Sequence, residues 1–425
     1  MGEAPRRETR RLKVLVLDEE IPYPLNAGKR IRTWNLLQRL AARHDVCLLC
    51  YGAPKDAVAA SEAKGIRLRT VRPQANLEGW RFYLALLRNL FSRYPFSVTK
   101  HYSDRFQRAL DLLLEEESWD LIHCEWTPYA RFLRDGCRVP VVIATHNVES
   151  QIWARRATHS TNAIGRFFFR TQEWKMRSFE RKVLRRAAMV TAVTPADAET
   201  FQSWGVASVS LVPNGVDLES FSFAPDAERD DEILFLASLD WFPNVDALDY
   251  FLKDVFPLVR NVLANATLRI VGRKPPDSLK QRLAGIAGVD FVGEVEEVNS
   301  FLDRAGIVVV PLRIGGGSRL KILEALAGAK AVVSTSVGAE GLGLVPGKHL
   351  LIADSPREFA KCICELSASP AARHRLGQNG RELMVERYGW NGIATRLETV
   401  WMEAGRHLPL ETSAPRIDRE ASVTL

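Results

Sequence analysis

IVVVPLRIGGGSRLKILEALAGAKAVVST, Ile307 to Thr335, carries a β-branched apolar run into three consecutive glycines, Gly315, Gly316 and Gly317. Ser318 follows, a side chain suited to cap a helix, and Leu320, Leu323, Leu326 and Ala327 then recur at helical spacing. The pattern predicts a helix over about 319–327 with that stripe buried, and AVVST from Ala331 reads as the next strand. Strand, glycine loop, helix and strand make the repeating unit of a parallel sheet covered by helices. Glycines let backbone N–H groups approach an anion closely, and a helix N-terminus adds about half a positive charge, so this loop suits a phosphate. Lys321 and Glu324 leave the first turns of that helix three residues apart. On an arbitrary helix they would be an exposed ion pair worth little. Beside a glycine loop, the cation can meet a phosphate and the carboxylate can accept two hydroxyl protons of a ribose.

The same alternation extends in both directions. Upstream, LKVLVLD (Leu12 to Asp18) reads as a strand, Ile31, Trp34, Leu37, Leu40 and Ala41 as one face of a helix, and Val46 to Tyr51 as a second strand. Further strands are predicted at Leu121–Cys124, Val141–Ala144, Met189–Val193 and Val209–Val212. PNGVD (Pro213 to Asp217) and the mixed segment to Asp231 mark a boundary, after which strands recur at Ile233–Ser238, Thr267–Gly272, Val289–Gly293, Ile307–Leu312, Ala331–Thr335 and Leu350–Ala353. The expected class is therefore α/β, with two doubly wound domains: residues 12–212, joined by a C-terminal helix near 388–405, and residues 213–387. Residues 1–11 and 408–425 are polar ends expected to be disordered. Ligands of such sheets bind at the carboxyl ends of the strands, which for two domains means the cleft between them.

Composition bounds the function. The 425 residues are 46% hydrophobic and 26% charged, enough for two ordinary domains, and six scattered cysteines do not make a disulfide scaffold. Reduced thiols fit a cytoplasmic protein. The longest apolar runs fall well short of the roughly 20 residues that span a bilayer, and the opening MGEAPRRETRR has no signal-peptide core. The net charge of +7 is uneven: residues 1–220 hold 34 Lys and Arg against 24 Asp and Glu, so the remainder is mildly acidic. No GxxxxGK[ST] motif is present, GxGxxG fails because Leu320 stands at the third glycine position, and His123, Cys124 and His146 lack metal-ligand spacing.

The 307–335 stretch, read on to Leu342, resembles the donor-site signature of family 4 retaining nucleotide-sugar glycosyltransferases, which have the GT-B fold of two facing Rossmann-like domains. Further segments resemble the family in the same order: the Gly28 loop, THNVES (Thr145 to Ser150), VTPADAETF (Val193 to Phe201), VPNGVD (Val212 to Asp217), LASLDWFPNVDAL (Leu236 to Leu248), IVGRKP (Ile270 to Pro275), VDFVGEVEEV (Val289 to Val298) and YGWNG (Tyr388 to Gly392). The closest branch is that of sugar transferases associated with bacterial exopolysaccharide and protein-sorting loci. The resemblance implies that Glu324 binds the nucleotide ribose as the second Glu of an E-x7-E motif, whose first Glu is replaced by Gly316. It also implies a base site near Phe291, Gly293 and Val295. The Arg and Lys that many members place after the first strand of the second domain are missing from 238–244, so the diphosphate falls to Arg319, Lys321, the Gly315–Ser318 amides and Arg273. On the acceptor side, His146 and Asn147 follow a strand at its carboxyl end, Gly28 approaches the transferred sugar, and Glu149 is expected to support His146.

The function implied is transfer of a sugar from a nucleotide diphosphate donor to an acceptor hydroxyl in envelope or exopolysaccharide synthesis, with retention and with neither metal nor cofactor. The alternatives are a noncatalytic nucleotide-sugar-binding member and an epimerase or hydrolase of the same fold. Two stretches concentrate the basic charge among aromatics, Leu77–Arg93 and Arg166–Arg186. Either they pack as ordinary amphipathic helices or they lie on an anionic membrane at its cytoplasmic face, where a glycan or lipid-linked acceptor would be found. Nucleic acid is not expected, because no binding module accompanies the charge.

Overall fold

The computed structural model describes residues 10–406 apart from Asn26, Ala53, 74–78, Thr161, 222–227, Pro276, Glu296 and 315–319. The ends expected to be disordered fall almost wholly outside the described residues.

Two parallel sheets form the molecule. The first contains β1 (Lys13–Leu17), β2 (Asp45–Tyr51), β3 (Ile66–Val71), β4 (Leu121–Cys124), β5 (Val141–Ala144), β6 (Met189–Ala192) and β7 (Val209–Leu211), in the order β3-β2-β1-β4-β5-β6-β7. The second contains β8 (Arg229–Ser238), β9 (Thr267–Arg273), β10 (Val289–Gly293), β11 (Ala305–Val310), β12 (Ala331–Ser334) and β13 (Leu351–Ile352), in the order β10-β9-β8-β11-β12-β13. Central strands such as KVLVL and AGIVVV are buried along almost their whole length, as a sheet covered on both faces requires. Strand order reverses between β1 and β4 and between β8 and β11, and those switch points place the ligand crevices.

One strand escaped the sequence reading. β3, IRLRTV, is an edge strand whose Arg67 and Arg69 lie away from the core while Ile66 and Val71 anchor it. Arg67 pairs with Asp45 at 3.0 Å and Glu117 at 3.2 Å. Charges on an edge discourage pairing with another chain, and they also break up the apolar run that signals a strand.

The last helix, Trp390–Ala404, packs on the first sheet: Trp390, Ile393, Leu397 and Trp401 share a core cluster with Leu36, Leu40, Val46 and Val142. The chain crosses between the sheets at Pro213–Asp217, and buried Arg32 holds that crossing by donating to the carbonyls of Val212 at 2.9 Å and Pro213 at 2.6 Å. Gly215 is required there, because a Cβ would lie 2.7 Å from the Trp390 ring.

Candidate active site

The carboxyl ends of the two sheets face each other. A Cβ on Gly28, the first residue of the Gly28–Ala41 helix, would lie 2.9 Å from Leu320 Cδ1 at the start of the Leu320–Ala327 helix. Arg155 and Glu340 approach to 3.7 Å across the same cleft. Gly28 therefore stands opposite the helix that follows the glycine loop. Gly315, Gly316, Gly317, Ser318 and Arg319 themselves lie outside the described residues.

On the second-sheet side, the Leu320–Ala327 helix buries Leu323, Leu326 and Ala327 as its periodicity demands, and Ile322 and Ala325 as well. That broad apolar surface fixes the helix against the sheet and leaves Lys321 and Glu324 to look outward. Lys321 Nζ donates to Asn244 Oδ1 at 3.0 Å and lies 5.6 Å from the centre of the Phe235 ring. Asn244 in turn donates to the Ser238 carbonyl at 2.8 Å, and Arg273 Nε donates to Ser238 Oγ at 2.7 Å. The loop 238–244 has no base of its own, yet two cations from other elements converge on it. The Glu324 carboxylate accepts no hydrogen bond from a described residue, and burial pushes it up to about 7 while Lys321 pulls it down. Phe291 and Gly293 lie on edge strand β10, with Val295 just beyond it, and Gly293 takes a positive φ of 90° where the β10–β9 register shifts. The edge position separates these three from the Leu320–Ala327 helix by the width of two strands.

On the first-sheet side, His146 follows β5, and its Nε2 lies 2.8 Å from the Glu125 carbonyl oxygen and 3.4 Å from Glu125 Oε1. Both partners only accept, so Nε2 carries a proton. Asn147 is half-buried in the bend that follows. Glu149 does not support His146. Its Oε1 accepts from Trp126 Nε1 at 2.9 Å, because the Glu149–His159 helix turns it toward that indole. The supporting carboxylate is Glu125, which follows β4 directly and is fully buried. Burial opposes its charge, but His123 and His146 hold the carboxyl well below the ordinary value. Thr33 Oγ1 donates to Glu125 Oε1 at 2.9 Å, His123 Nε2 lies 2.7 Å from Oε2, and Trp401 Nε1 donates to His123 Nδ1 at 3.1 Å. A buried chain of hydrogen bonds thus runs from the last helix to His146. Behind it, Glu180 of the Ala163–Leu184 helix accepts from the Glu149 and Ser150 amides at 2.8 and 3.0 Å, satisfying the N-terminus of the Glu149–His159 helix.

Near β1, burial pushes the Asp18 carboxyl up to about 6, although Lys29 Nζ at 2.5 Å pulls it down. Burial works against the Lys29 ammonium too, but Asp18 and Glu19 keep it well above the ordinary lysine value. These groups carried one signal in the sequence: Asp18 and Glu125 are acids that close buried apolar strands.

Residues 27–215 match the model of the glycosyl transferase 4-like domain, and residues 230–369 match that of glycosyl transferases group 1. The chain is a family 4 glycosyltransferase of the GT-B fold. This glycosyltransferase is 23% identical over 387 residues to a 44.6 kDa protein in the cps region of Klebsiella pneumoniae, covering 88% of this chain and 96% of that one. Sucrose-phosphate synthase from Thermosynechococcus elongatus superposes with a TM-score of 0.67 at 18% identity, over 92% of this chain and 98% of its own. HepE of Anabaena, in complex with UDP and glucose, superposes with a TM-score of 0.62 at 13% identity, over 92% and 99% of the two chains.

Proposed function

We propose that this glycosyltransferase moves a hexosyl group, with retention, from a nucleotide diphosphate sugar to a hydroxyl of an envelope or exopolysaccharide glycan. The observation that carries the donor site is Glu324: a carboxylate with no described hydrogen-bond donor, one turn into a helix whose first residue, Leu320, lies against Gly28 across the cleft. Two ribose hydroxyls supply the donors it lacks. Lys321 and Arg273, held on the 238–244 loop, stand with Arg319 and the Gly315–Ser318 amides for the diphosphate, and Phe291, Gly293 and Val295 for the base. These protein cations take the place of a metal at the leaving group, and no cofactor enters the reading. The bond from the anomeric carbon to the diphosphate oxygen breaks, the acceptor oxygen bonds to that carbon from the same face, and its proton passes to the departing phosphate. Gly28 lets the backbone approach the sugar, Asn147 lines the same bend, and His146 Nδ1 accepts a hydroxyl proton from the sugar, fixing its orientation. The cps-region relative and the UDP and glucose bound to HepE support this choice of pathway class and donor. A thermal-shift screen against UDP-, GDP- and ADP-linked hexoses tests it: one base series raises the melting temperature in proportion to RT ln(1 + [L]/Kd), and no shift with any of them removes the donor assignment.

The outer face of the first sheet's helices supports an acceptor at an anionic membrane on its cytoplasmic side. No helix among the described residues is long and apolar enough to cross a membrane. On the helix Gly79–Leu90, Trp80 is 69% exposed and Tyr83 and Leu87 nearly as much, with Phe91 just beyond at 93%. Ile164, Phe167 and Trp174 are exposed along the helix Ala163–Leu184, which is tied to the first helix by Lys175 Nζ donating to the Asn89 carbonyl at 2.6 Å. Arg81, Arg88, Arg170 and Arg177 flank these aromatics, the composition of an interfacial surface. Vesicles of phosphatidylglycerol and phosphatidylcholine co-sediment the protein at low salt, and replacing Trp80 and Phe91 by serine lowers the bound fraction about tenfold. Equal recovery of wild type and variant, or no binding at all, removes this face from the account.

A further inference from the structure

The reaction as described leaves several polar groups at the mouth of the first sheet without a task, and they meet around Trp126. Lys29 Nζ lies 5.2 Å from the centre of its ring, held by Asp18 at 2.5 Å and Glu19 at 3.3 Å. His101 stands edge-on to the same ring with centroids 4.9 Å apart, and its Nδ1 is 3.8 Å from Glu19 Oε2. Trp126 Nε1 is committed to Glu149. Trp126 is thus a hub that fixes its neighbours, and Lys29, Glu19 and His101 each keep about a quarter of their side chains exposed beside His146. The residues next along the chain carry two orphans: Thr127 Oγ1 and Tyr129 Oη are buried and have no hydrogen-bond partner among the described residues. Buried hydroxyls of that kind are costly unless a water or a ligand hydroxyl reaches them.

The charge of this mouth is opposite to that of the half that contains it. Asp18, Glu19, Glu125 and Glu149 surround it, and Lys29 is the cation among the groups that contact Trp126. Burial pushes the His101 imidazole down to about 4, so it is neutral at working pH. Arg156, which also acts on Glu149, is turned toward the Trp153 and Trp241 rings. Fixed carboxylates accept hydroxyl protons, Lys29 donates to hydroxyl oxygens, and an incoming anion meets like charge.

We infer that Glu19, Lys29, His101 and Glu149, organised by Trp126, form the acceptor subsite, and that this subsite takes an uncharged sugar through its hydroxyls and rejects a phosphate or a uronate. The inference rests on the glycosyltransferase reading and narrows its acceptor. The basic outer helices hold the anionic surroundings, while the acidic mouth selects the neutral end of the glycan.

Matched methyl glycosides test this with the full chain: methyl glucoside against methyl glucuronide, and methyl galactoside against methyl galacturonide. Binding is followed by saturation-transfer NMR titration in the presence of UDP. The neutral member of at least one pair binds about tenfold more tightly than its uronate, the scale of one partly screened like-charge contact. Glu19→Gln weakens the neutral glycoside by about threefold and narrows that gap to about threefold or less, and Trp126→Phe, which releases Glu149, weakens the neutral glycoside as well. Uronates bound as well as or better than the neutral sugars, an unchanged gap in Glu19→Gln, or no binding of any probe at tens of millimolar overturns the inference. A UDP titration of the same protein separates the two levels: loss of UDP binding alone sinks the donor reading and leaves the sugar preference to stand or fall by itself.

Discussion

Glu324→Ala weakens binding of the donor nucleotide roughly thirty- to a hundredfold, about 2–3 kcal/mol, while the urea midpoint of unfolding at neutral pH or above does not fall. The magnitude is that of hydrogen bonds between hydroxyls and a charged acceptor in a partly dehydrated site. The fold survives because the Glu324 carboxylate takes no described hydrogen bond and the helix is held by Leu323, Leu326 and Ala327. The same carboxyl sets a pH dependence. Burial raises it to about 7 in the free protein, and the ionised form is the better acceptor for two hydroxyls. Nucleotide affinity therefore falls about tenfold as pH drops from 8 to 6, and Glu324→Gln flattens that profile at a weak value. Stability runs the other way: a raised folded-state value favours the folded chain below the ordinary carboxylate value, and that contribution is lost as pH rises through about 7. Calorimetry with UDP at several pH values measures both effects, and a profile identical in wild type and Glu324→Gln would contradict the ribose role.

His146→Ala lowers single-turnover transfer about a hundred- to a thousandfold and leaves nucleotide affinity within about twofold. The separation follows from geometry. In the proposed site Glu324, Lys321 and Arg273 hold the nucleotide from the second sheet, whereas His146 stands on the first, its Nε2 held by Glu125. His146→Gln keeps an acceptor at a similar reach and restores part of the rate. Rapid-quench measurements with saturating donor decide this, and a loss carried entirely by nucleotide affinity would place His146 outside the reacting sugar's reach.

Most of the fold was legible because parallel strands buried on both faces are near-continuous apolar runs. Leu121–Cys124 and Val141–Ala144 coincide with β4 and β5 to the residue. β3 was not, since an edge strand carries arginines where a central one carries valines. On the second-sheet side, Lys321 and Glu324 are neighbours in sequence, and helical spacing leaves both off the buried stripe of the Leu320–Ala327 helix, while the glycine loop lies outside the described residues. The acceptor side is assembled from distant segments. Trp401 reaches His123 across 278 positions, and Lys29, His101 and Glu149 meet at Trp126 from three different helices. No local pattern encodes such a meeting. Glu149 shows the resulting error, for adjacency to His146 suggested a partnership that the turn into the next helix prevents. The loss of basic residues at 238–244 is likewise a local fact with a non-local answer, in Arg273 and Lys321 leaning onto that loop from β9 and the Leu320–Ala327 helix.

Real-time proton NMR of the purified full chain with a UDP-hexose and a neutral oligosaccharide acceptor tests the central claim most directly. Donor consumption that requires the acceptor, with a new anomeric signal of the donor's own configuration and no such signal in Glu324→Ala, is the predicted result. Equal donor consumption without acceptor, an inverted anomeric signal, or a donor that binds and is never consumed under any acceptor would contradict it.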